Sequence, residues 1–371
     1  MNDKNITILG LPFMALKYKY LIDTYISLGM HVTVLLNDDQ VDTDWLNDYN
    51  IKICGRSKIK RTFCFFKHMT NDKPNYVDVY DYSILTLFYL LVCRLFNVKS
   101  RLWLIGGELK YDFSHLNEKS KLKKGITIAK VWLTKLSLFV SDNILIKEKH
   151  HAESIKKISP SLLKKATLLH NCVPVNDYPL KGDYSNKSDF IYANAVIESR
   201  NVHNLVTSLK KLEVSGHEFT CSIYGFNCIS NDVYAQRGVG YSEYVFNLAK
   251  SINLTKNVSM HGFIKDIKEK YLNFRFFILP GDVIFANYAL LEAMSVGLVP
   301  IVYPGNGYED IVIDGHNGLV VQNFDLVQTL IRAIEMDDDE YSRLSLNSFK
   351  KIKEKYSLEK WKEQLALSFI S

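Results

Sequence analysis

Short runs with strand character alternate with longer segments of helical pattern along the chain, and this order constrains the fold more than any other feature. The first unit comprises a strand at 6–9, a helix at 17–28, Gly29 as a stop and a strand at 31–36. Further predicted strands of the first half lie at 77–80, 101–105, 143–146 and 166–169. Alternation of this kind predicts an α/β fold with a doubly wound parallel sheet.

A loop-rich stretch divides this alternation into two series. Residues 173–187 contain two prolines, a glycine and several Asn, Asp and Ser residues, which is typical of a linker. Predicted strands resume at 190–192, 220–224, 258–261, 276–279 and 299–303. A chain of 371 residues also exceeds what one hydrophobic core normally serves. We therefore predict a first domain at 1–178, a linker at 179–187, a second domain at 188–350, and a final helix at 351–371 that packs back toward the first domain.

Positive charge is concentrated in the first half of the chain. Residues 1–180 contain 26 Lys and Arg against 17 Asp and Glu, which suggests an anionic partner such as a membrane surface or a pyrophosphate-bearing acceptor. Two basic stretches, 56–67 and 119–135, interleave cations with apolar residues and could rest on anionic lipid. A solvated helix face with a buried apolar stripe explains them equally well. No binding motif accompanies the charge, so we expect no nucleic acid partner.

Targeting and redox signals favour the cytoplasm. The first residues show no basic region followed by an apolar run, so we expect no secretory signal. The most apolar stretch, 83–93, is shorter than the about 18 residues that a membrane crossing needs, and it predicts a buried helix. The six cysteines form no CxxC pair and no metal-ligand spacing, which favours reduced thiols. We expect a cytoplasmic chain that can also lie peripherally on the inner face of the cell membrane.

The segment 276–321 carries the features that suggest a binding site. It comprises a strand ended by Pro280 and Gly281, a loop, a helix at about 287–296, a second strand and a glycine loop. The free N–H groups at the start of this helix would point above the sheet, where they can hold an anion. Glu292 lies on the helix among apolar residues, and a simple ion pair at a helix surface is the commoner explanation for such a Glu.

The sequence LLEAMSVGLVPIV, which contains Glu292, resembles the donor-site signature of the retaining glycosyltransferase family 4. The resemblance implies the GT-B fold, with two Rossmann-like doubly wound parallel-sheet domains facing a central cleft. It also implies that Glu292 hydrogen-bonds the ribose hydroxyls of a nucleoside-diphosphate sugar. Backbone N–H groups of Asn287, Tyr288 and Ala289 would meet the pyrophosphate of this donor.

The first half of that signature is altered. Ile284 stands eight residues before Glu292, where the family has another Glu, and Phe285-Ala286-Asn287 replaces its Gly-Phe-Gly. The side chain that would contact the hydroxyls of the donor sugar is therefore missing. Sugar recognition must differ from the usual pattern.

The segment 190–209 resembles the element with which the family holds the donor phosphates. Arg200 falls at the position of a Lys, and an Arg can bind a phosphate through two hydrogen bonds. Ala195 replaces an Arg, so one cation is lost. Asn194 and His203 are nearby polar groups that could compensate, although an exposed helical position is the commoner explanation for His203.

Weaker matches extend the resemblance over most of the chain. The sequence NVSMHGFIKDI resembles the strand and loop whose backbone, at Gly262, Phe263 and Ile264, contacts the nucleotide base. The glycine loop at 305–307 resembles the pair that faces the donor. In the first domain Glu108 follows two glycines where many members have His-Gly. It could take a polar role toward the acceptor or the sugar, and a capping or solvated Glu is an equal alternative.

The resemblance implies a hexosyl- or related glycosyltransferase that moves a sugar from a nucleoside-diphosphate sugar to a hydroxyl of a glycan or polyprenyl-diphosphate-linked acceptor, with retention of configuration. We expect Arg200, Glu292 and Glu108 to be catalytic, with no metal and no cofactor besides the donor substrate. Assembly of a lipopolysaccharide O-antigen or a capsule is the expected setting. Two alternatives stay open: a degenerate GT-B protein that binds without turnover, favoured by the losses at 195 and 284, and a GT-B sugar-nucleotide 2-epimerase.

Overall fold

The computed structural model describes residues 4–10, 15–36, 49–55, 57–80, 84–105, 109, 121–178, 187–229, 238–254, 257–264 and 266–369. For residues 15–17 and 121–127 it describes the backbone only. The chain divides into two compact units, Met1–His170 with Lys362–Ser371, and Asn171–Trp361. Residues 179–186 of the predicted linker lie outside the described residues.

A seven-stranded parallel sheet forms the centre of the first unit. Its strands are β1 (Lys4–Leu9), β2 (Met30–Leu36), β3 (Asn50–Ile53), β4 (Tyr76–Val79), β5 (Lys99–Leu104), β6 (Asn143–Ile146) and β7 (Ala166–Leu168). They are arranged in the order β3-β2-β1-β4-β5-β6-β7, and every neighbouring pair is parallel. The helices between them are α1 (Ala15–Ser27), α2 (Lys58–Asn71), α3 (Leu85–Leu95), α4 (Lys121–Val140) and α5 (Lys149–Ile158).

The second unit repeats this plan with six parallel strands. They are β8 (Ser188–Ala193), β9 (Cys221–Tyr224), β10 (Val258–His261), β11 (Phe274–Leu279), β12 (Val299–Val302) and β13 (Leu319–Val320). Their order is β10-β9-β8-β11-β12-β13. The helices are α6 (Val202–Val214), α7 (Val239–Ser251), α8 (Lys268–Tyr271), α9 (Tyr288–Ser295), α10 (Leu326–Ile334) and α11 (Asp338–Lys355). The last helix, α12 (Leu358–Leu367), begins in this unit, and its residues from Lys362 onward belong to the first unit.

The central strands carry runs of buried apolar residues because helices cover both faces of a doubly wound sheet. Phe190, Ile191 and Tyr192 of β8 are fully buried, and so are the last four residues of β11. This explains why the strands appear in the sequence as continuous apolar runs. The α/β fold with two doubly wound parallel sheets is confirmed.

The apolar stretch at 83–93 was predicted to be a buried helix, and helix α3 occupies it from Leu85 onward. Residue 83 lies outside the described residues. The helix buries Tyr89, Leu90 and Cys93 against the sheet, while Leu91 and Leu95 are exposed. Among the described helices, none is both long enough and apolar enough to cross a membrane.

The expectation of six reduced thiols is wrong for one pair. Cys54, directly after β3, forms a disulfide with Cys64 of α2, with their Cα atoms 5.5 Å apart. Because the two cysteines lie ten residues apart and come together only when α2 packs beside β3, no local motif announces the bond. Cys93 and Cys221 are buried free thiols, and burial raises the pKa of Cys93 to about 12.

A buried ion pair holds the last residues of the chain within the first unit. Arg101 of β5 lies opposite Asp78 of β4, and its Nε donates to Asp78 Oδ1 at 2.6 Å, with both side chains fully buried. Tyr25 and Trp103 also donate to the Asp78 carboxylate. The Arg101 guanidinium lies 3.9 Å from the ring centre of Phe369, near the C-terminus. Arg101 Nη1 also donates to Ser368 Oγ at 3.2 Å, so a hydrogen bond and a ring contact tie the C-terminal segment to the first sheet.

We expect Arg101→Met to lower the free energy of unfolding by about 3–5 kcal/mol, because it leaves the Asp78 carboxylate buried without its cation. Urea unfolding of the variant and the parent protein measures this difference. Arg94→Met, at an exposed position of α3, is the matched control and should change stability by about 0.5 kcal/mol or less. Equal stability of Arg101→Met and the parent would contradict the role of this pair.

Candidate functional site

The carboxyl edge of the second sheet gathers the loops that contain the predicted site residues. From β8 the chain proceeds to β9 and β10 on one side, and then to β11 on the other. The loops after β8 and β11 therefore separate at the point where the strand order reverses. In open α/β sheets the crevice at this switch point is where ligands bind.

Arg200 joins these two loops. It ends a 3₁₀ turn, Glu198–Arg200, that follows β8, and its Nη1 donates to the carbonyl oxygen of Val283 at 2.7 Å. Gly281 lets the guanidinium approach, since a Cβ at that position would lie 3.3 Å from Nη1. The Nε of Arg200 is buried and has no hydrogen-bond partner among the described residues. A buried donor of this kind costs about 1–3 kcal/mol unless an acceptor reaches it.

Asn287 and Asn194 connect the start of α9 to the end of β8. Asn287 is the N-cap of α9: its Oδ1 accepts from the N–H groups of Ala289 and Leu290 at 3.0 and 3.4 Å. Asn194 donates from Nδ2 to the same oxygen at 3.2 Å. The backbone N–H of Asn287 donates to Phe285 O. Two of the N–H groups predicted to meet a pyrophosphate are thus bonded within the chain, so an anion there would compete with the Asn287 side chain.

Glu292 lies on the open strip of α9. Asn287, Tyr288, Ala289, Glu292 and Val296 are half-buried, and the residues between them are buried in the core. Because these positions are three or four apart after the cap, they form one line along the helix. Burial raises the pKa of Tyr271, and the nearby Glu292 carboxylate raises the pKa of Tyr271 further.

Ile284 and Phe285 occupy the altered half of the donor signature. Ile284 is only 1% exposed and belongs to the core, so it offers no group to a sugar. Phe285 has a φ of +40°, a left-handed conformation that costs a bulky residue about 1–3 kcal/mol. The glycine that the resembled signature has at this position would adopt it without strain. Phe285 therefore keeps a left-handed backbone without the residue type that favours it.

The glycine loop after β12 lies against the loop after β11. A Cβ on Gly307 would lie 2.4 Å from Phe285 Cδ1, and one on Gly305 would lie 2.5 Å from Gly281 O. The N–H groups of Ile284 and Phe285 both donate to Asn306 O. These glycines thus permit close packing of two loops, which is a structural need distinct from the donor contact that the sequence suggested.

The loop predicted to contact a base follows β10. Gly262 accepts a hydrogen bond through its carbonyl from Gly225 N–H, Phe263 is exposed, and Ile264 packs partly against the core. Just before it, the ring of His261 stacks on Tyr224 with centres 4.4 Å apart, and burial lowers the pKa of His261.

Gly225 is a position that sequence reasoning missed. It has a φ of +107°, and a Cβ there would lie 1.9 Å from Asn194 O. This glycine lets the β9 loop pass directly beside Asn194 and contact Gly262. The only available signal was a single glycine directly after a predicted strand, which is common in any α/β chain.

Three further positions were singled out from the sequence: His203, Ala195 and Glu108. His203 of α6 is half-buried, and its Nδ1 lies 2.7 Å from the hydroxyl of Tyr241, so it is held by that ring. Ala195 is exposed in the β8 loop. Glu108, with its two preceding glycines, lies outside the described residues. No three His, Cys, Asp or Glu side chains within the described parts of the chain are grouped to hold a metal ion.

Comparison with known proteins relates the chain to one family model and to several solved structures. Residues 181–351 match the family model described as "Glycosyl transferases group 1". No curated protein matches the chain. Among solved structures, Anabaena Alr3699/HepE in complex with UDP and glucose superposes with a TM-score of 0.73 at 12% identity, covering 99% of each chain.

Two further structures are similar over the whole chain. Sucrose-phosphate synthase from Thermosynechococcus elongatus has a TM-score of 0.76 at 13% identity, covering 99% of this chain and 98% of its own. The lipopolysaccharide outer core galactosyltransferase WaaB has a TM-score of 0.69 at 15% identity, covering 99% of each chain. At these identities the likeness concerns the fold, which is GT-B as the sequence resemblance implied.

We expect Gly225→Ala to destabilise the protein by about 1–3 kcal/mol more than Gly216→Ala. Both glycines have a positive φ, so both substitutions strain the backbone by about 1–2 kcal/mol. A Cβ at Gly216 meets nothing within 4 Å, whereas one at Gly225 collides with the Asn194 carbonyl. Urea unfolding of the two variants isolates the steric part. Equal losses would show that the β9 loop does not press against Asn194.

Proposed function

We propose that this chain, which has the GT-B fold and matches the group 1 glycosyl transferases over residues 181–351, transfers a sugar from a nucleoside-diphosphate donor. The observation that carries the proposal is the placement of Arg200, whose buried Nε lacks an acceptor at the switch point of the second sheet. A diphosphate oxygen supplies the missing acceptor and a charge that matches the guanidinium.

The proposed donor site extends from Arg200 along the open strip of α9. The diphosphate lies between Arg200 and the capped start of the helix, where Asn194, Asn287, Tyr288 and Ala289 line its path. The positive end of the helix dipole favours negative charge at this place. Glu292, one turn further along the strip, accepts hydrogen bonds from the ribose hydroxyls. The base then lies at the loop Gly262–Phe263–Ile264.

The chemistry that follows is stabilisation of a leaving group. As the bond between sugar and diphosphate breaks, negative charge grows on the diphosphate, and a fixed guanidinium and helix end lower the energy of that state. Since Ala195 is neutral, Arg200 takes a larger share of this task. We propose retention of configuration without a metal ion, with the departing phosphate accepting the proton of the attacking hydroxyl.

The proposed acceptor is a hydroxyl of a glycan or of a polyprenyl-diphosphate-linked glycan, in the cytoplasmic assembly of a surface polysaccharide such as an O-antigen or a capsule. The excess of Lys and Arg in residues 1–180 supports an acceptor that carries pyrophosphate. Glu108 is proposed to contact this acceptor or the transferred sugar. Transfer that continues in EDTA, with a product that NMR shows to have the same anomeric configuration as the donor, would support the metal-independent retaining reaction.

We expect Arg200→Ala to weaken binding of a nucleoside diphosphate by about tenfold to hundredfold, because a charge-assisted hydrogen bond contributes about 1.5–3 kcal/mol. Arg200→Lys keeps the charge and loses the planar fork, so its affinity for the nucleoside diphosphate should lie between those of Arg200→Ala and the parent protein. Glu292→Gln should weaken UDP binding and leave binding of inorganic pyrophosphate unchanged. Calorimetric titration with UDP, GDP, ADP and pyrophosphate measures each effect.

Arg343→Ala and Glu354→Gln are the matched controls, since both side chains are exposed on α11. They should bind every probe as the parent does. Failure of all three nucleotides to bind, or full binding by Arg200→Ala, would exclude this donor site.

A binding protein without turnover is the second candidate. It is favoured by buried Ile284 and neutral Ala195, which stand where the resembled signature has an acid and a cation. Nucleotide binding that depends on Arg200, combined with no transfer and no release of free nucleotide from a panel of nucleotide sugars and acceptors, would establish it. Release of nucleotide and an altered sugar without acceptor would instead identify an epimerase.

A further inference from the structure

Three neighbouring helices of the first unit expose apolar stripes to solvent. On α2 the exposed residues Ile59, Phe63 and Phe66 follow one another at helical spacing, and Ile59 and Phe63 are 83% and 70% exposed. The opposite face of α2 buries Phe65 and Met69 in the core. The helix is therefore apolar on both its inner and its outer face, whereas an ordinary surface helix is polar outside.

The same arrangement recurs on α3 and α4. Leu91 and Leu95 of α3 are exposed at a spacing of four residues. On α4 the exposed apolar residues also follow helical spacing: Ile128, Trp132, Leu136 and Phe139. Trp132 is 61% exposed, with the ammonium of Lys135 5.2 Å from its ring centre.

These stripes belong to one surface. The connections β3→β4, β4→β5 and β5→β6 all advance in the same direction across the sheet, so right-handed crossovers place α2, α3 and α4 on the same face. Helix α3 contacts both neighbours, and the ring of Phe66 on α2 packs against Phe96 at the end of α3 with centres 5.5 Å apart. We call this surface the α2–α4 face.

The charge on these helices has a single sign. Together α2, α3 and α4 contain ten Lys and Arg residues and no Asp or Glu. Lys58, Lys60 and Lys67 of α2, Arg94 of α3 and Lys130 of α4 are exposed beside the apolar stripes. For comparison, α11 of the second unit mixes Asp, Glu, Lys and Arg and exposes a single large apolar side chain, Leu346.

We propose that the α2–α4 face docks the protein on the surface of an anionic lipid bilayer. Apolar side chains that project between basic ones fit the boundary of headgroups and acyl chains, where the cations meet anionic headgroups and the aromatics enter the hydrocarbon. A second copy of the chain is a poorer occupant, because a two-fold interface would bring the five exposed cations of one face against the same five of the other. The surface is independent of the proposed transfer reaction and can be tested without any nucleotide.

The test is co-sedimentation of the full chain with vesicles of phosphatidylcholine alone and with phosphatidylglycerol added. We expect binding to the anionic vesicles at about 0.1 M salt and a large loss at about 1 M salt, where the Debye length falls from about 10 to about 3 Å. Fluorescence of Trp132 should shift to shorter wavelength on binding, and Trp132→Phe should abolish the shift.

Paired variants separate the contributions of the two kinds of residue. Phe63→Ser combined with Trp132→Ser should lower the partition coefficient by about tenfold or more, since two aromatics no longer enter the apolar layer. Val214→Ser, at an equally exposed apolar position of the second unit, is the control and should have no effect. Lys58→Glu with Lys60→Glu should remove the preference for anionic lipid, while Lys350→Glu with Lys353→Glu on α11 should keep it.

Three outcomes would overturn the proposal. They are no sedimentation with anionic vesicles at low salt, undiminished binding by the Phe63→Ser and Trp132→Ser variant, and a stable dimer in solution that this variant converts to monomer. Circular dichroism and urea unfolding of each variant show that a loss of binding does not come from a loss of folding.

Discussion

The hydrogen bond from Arg200 to the carbonyl of Val283 joins the loops that follow β8 and β11, and the proposed site depends on it. These two strands are neighbours in the sheet but are separated along the chain by β9 and β10. Their loops therefore diverge above the sheet unless something holds them. Arg200 does so with one nitrogen and leaves Nε buried without a partner, so the same residue closes the loops and offers charge to a ligand.

Close packing between the loops stabilises the same edge of the sheet. Gly225 passes beside Asn194, and Gly305 and Gly307 lie against the β11 loop. At all three positions a Cβ atom would collide with the neighbouring loop. Asn287 then fixes the start of α9 and directs the strip with Glu292 toward the same edge. Arg200 and the start of α9 both follow the carboxyl ends of neighbouring parallel strands, which is why the proposed donor site lies at this edge.

The sequence was sufficient for features that depend on local pattern and insufficient for those that depend on contacts between distant residues. Apolar runs predicted both parallel sheets, and the predicted helix at 287–296 is present as α9 with Asn287 as its cap. The Arg101–Asp78 pair was not foreseen, because 23 residues separate the two side chains and only the register of β4 and β5 brings them together. The Cys54–Cys64 bond was missed for the same reason. Apolar periodicity on α2 and α4 was visible, yet it could not tell which stripe faces the core.

A crystal structure of the chain with a bound nucleoside diphosphate tests the central claim most directly. The account predicts a diphosphate oxygen within hydrogen-bond distance of Arg200 Nε, with the ribose hydroxyls at the carboxylate of Glu292. A nucleotide bound in the first unit, or one in the second unit whose phosphates avoid Arg200, would contradict it.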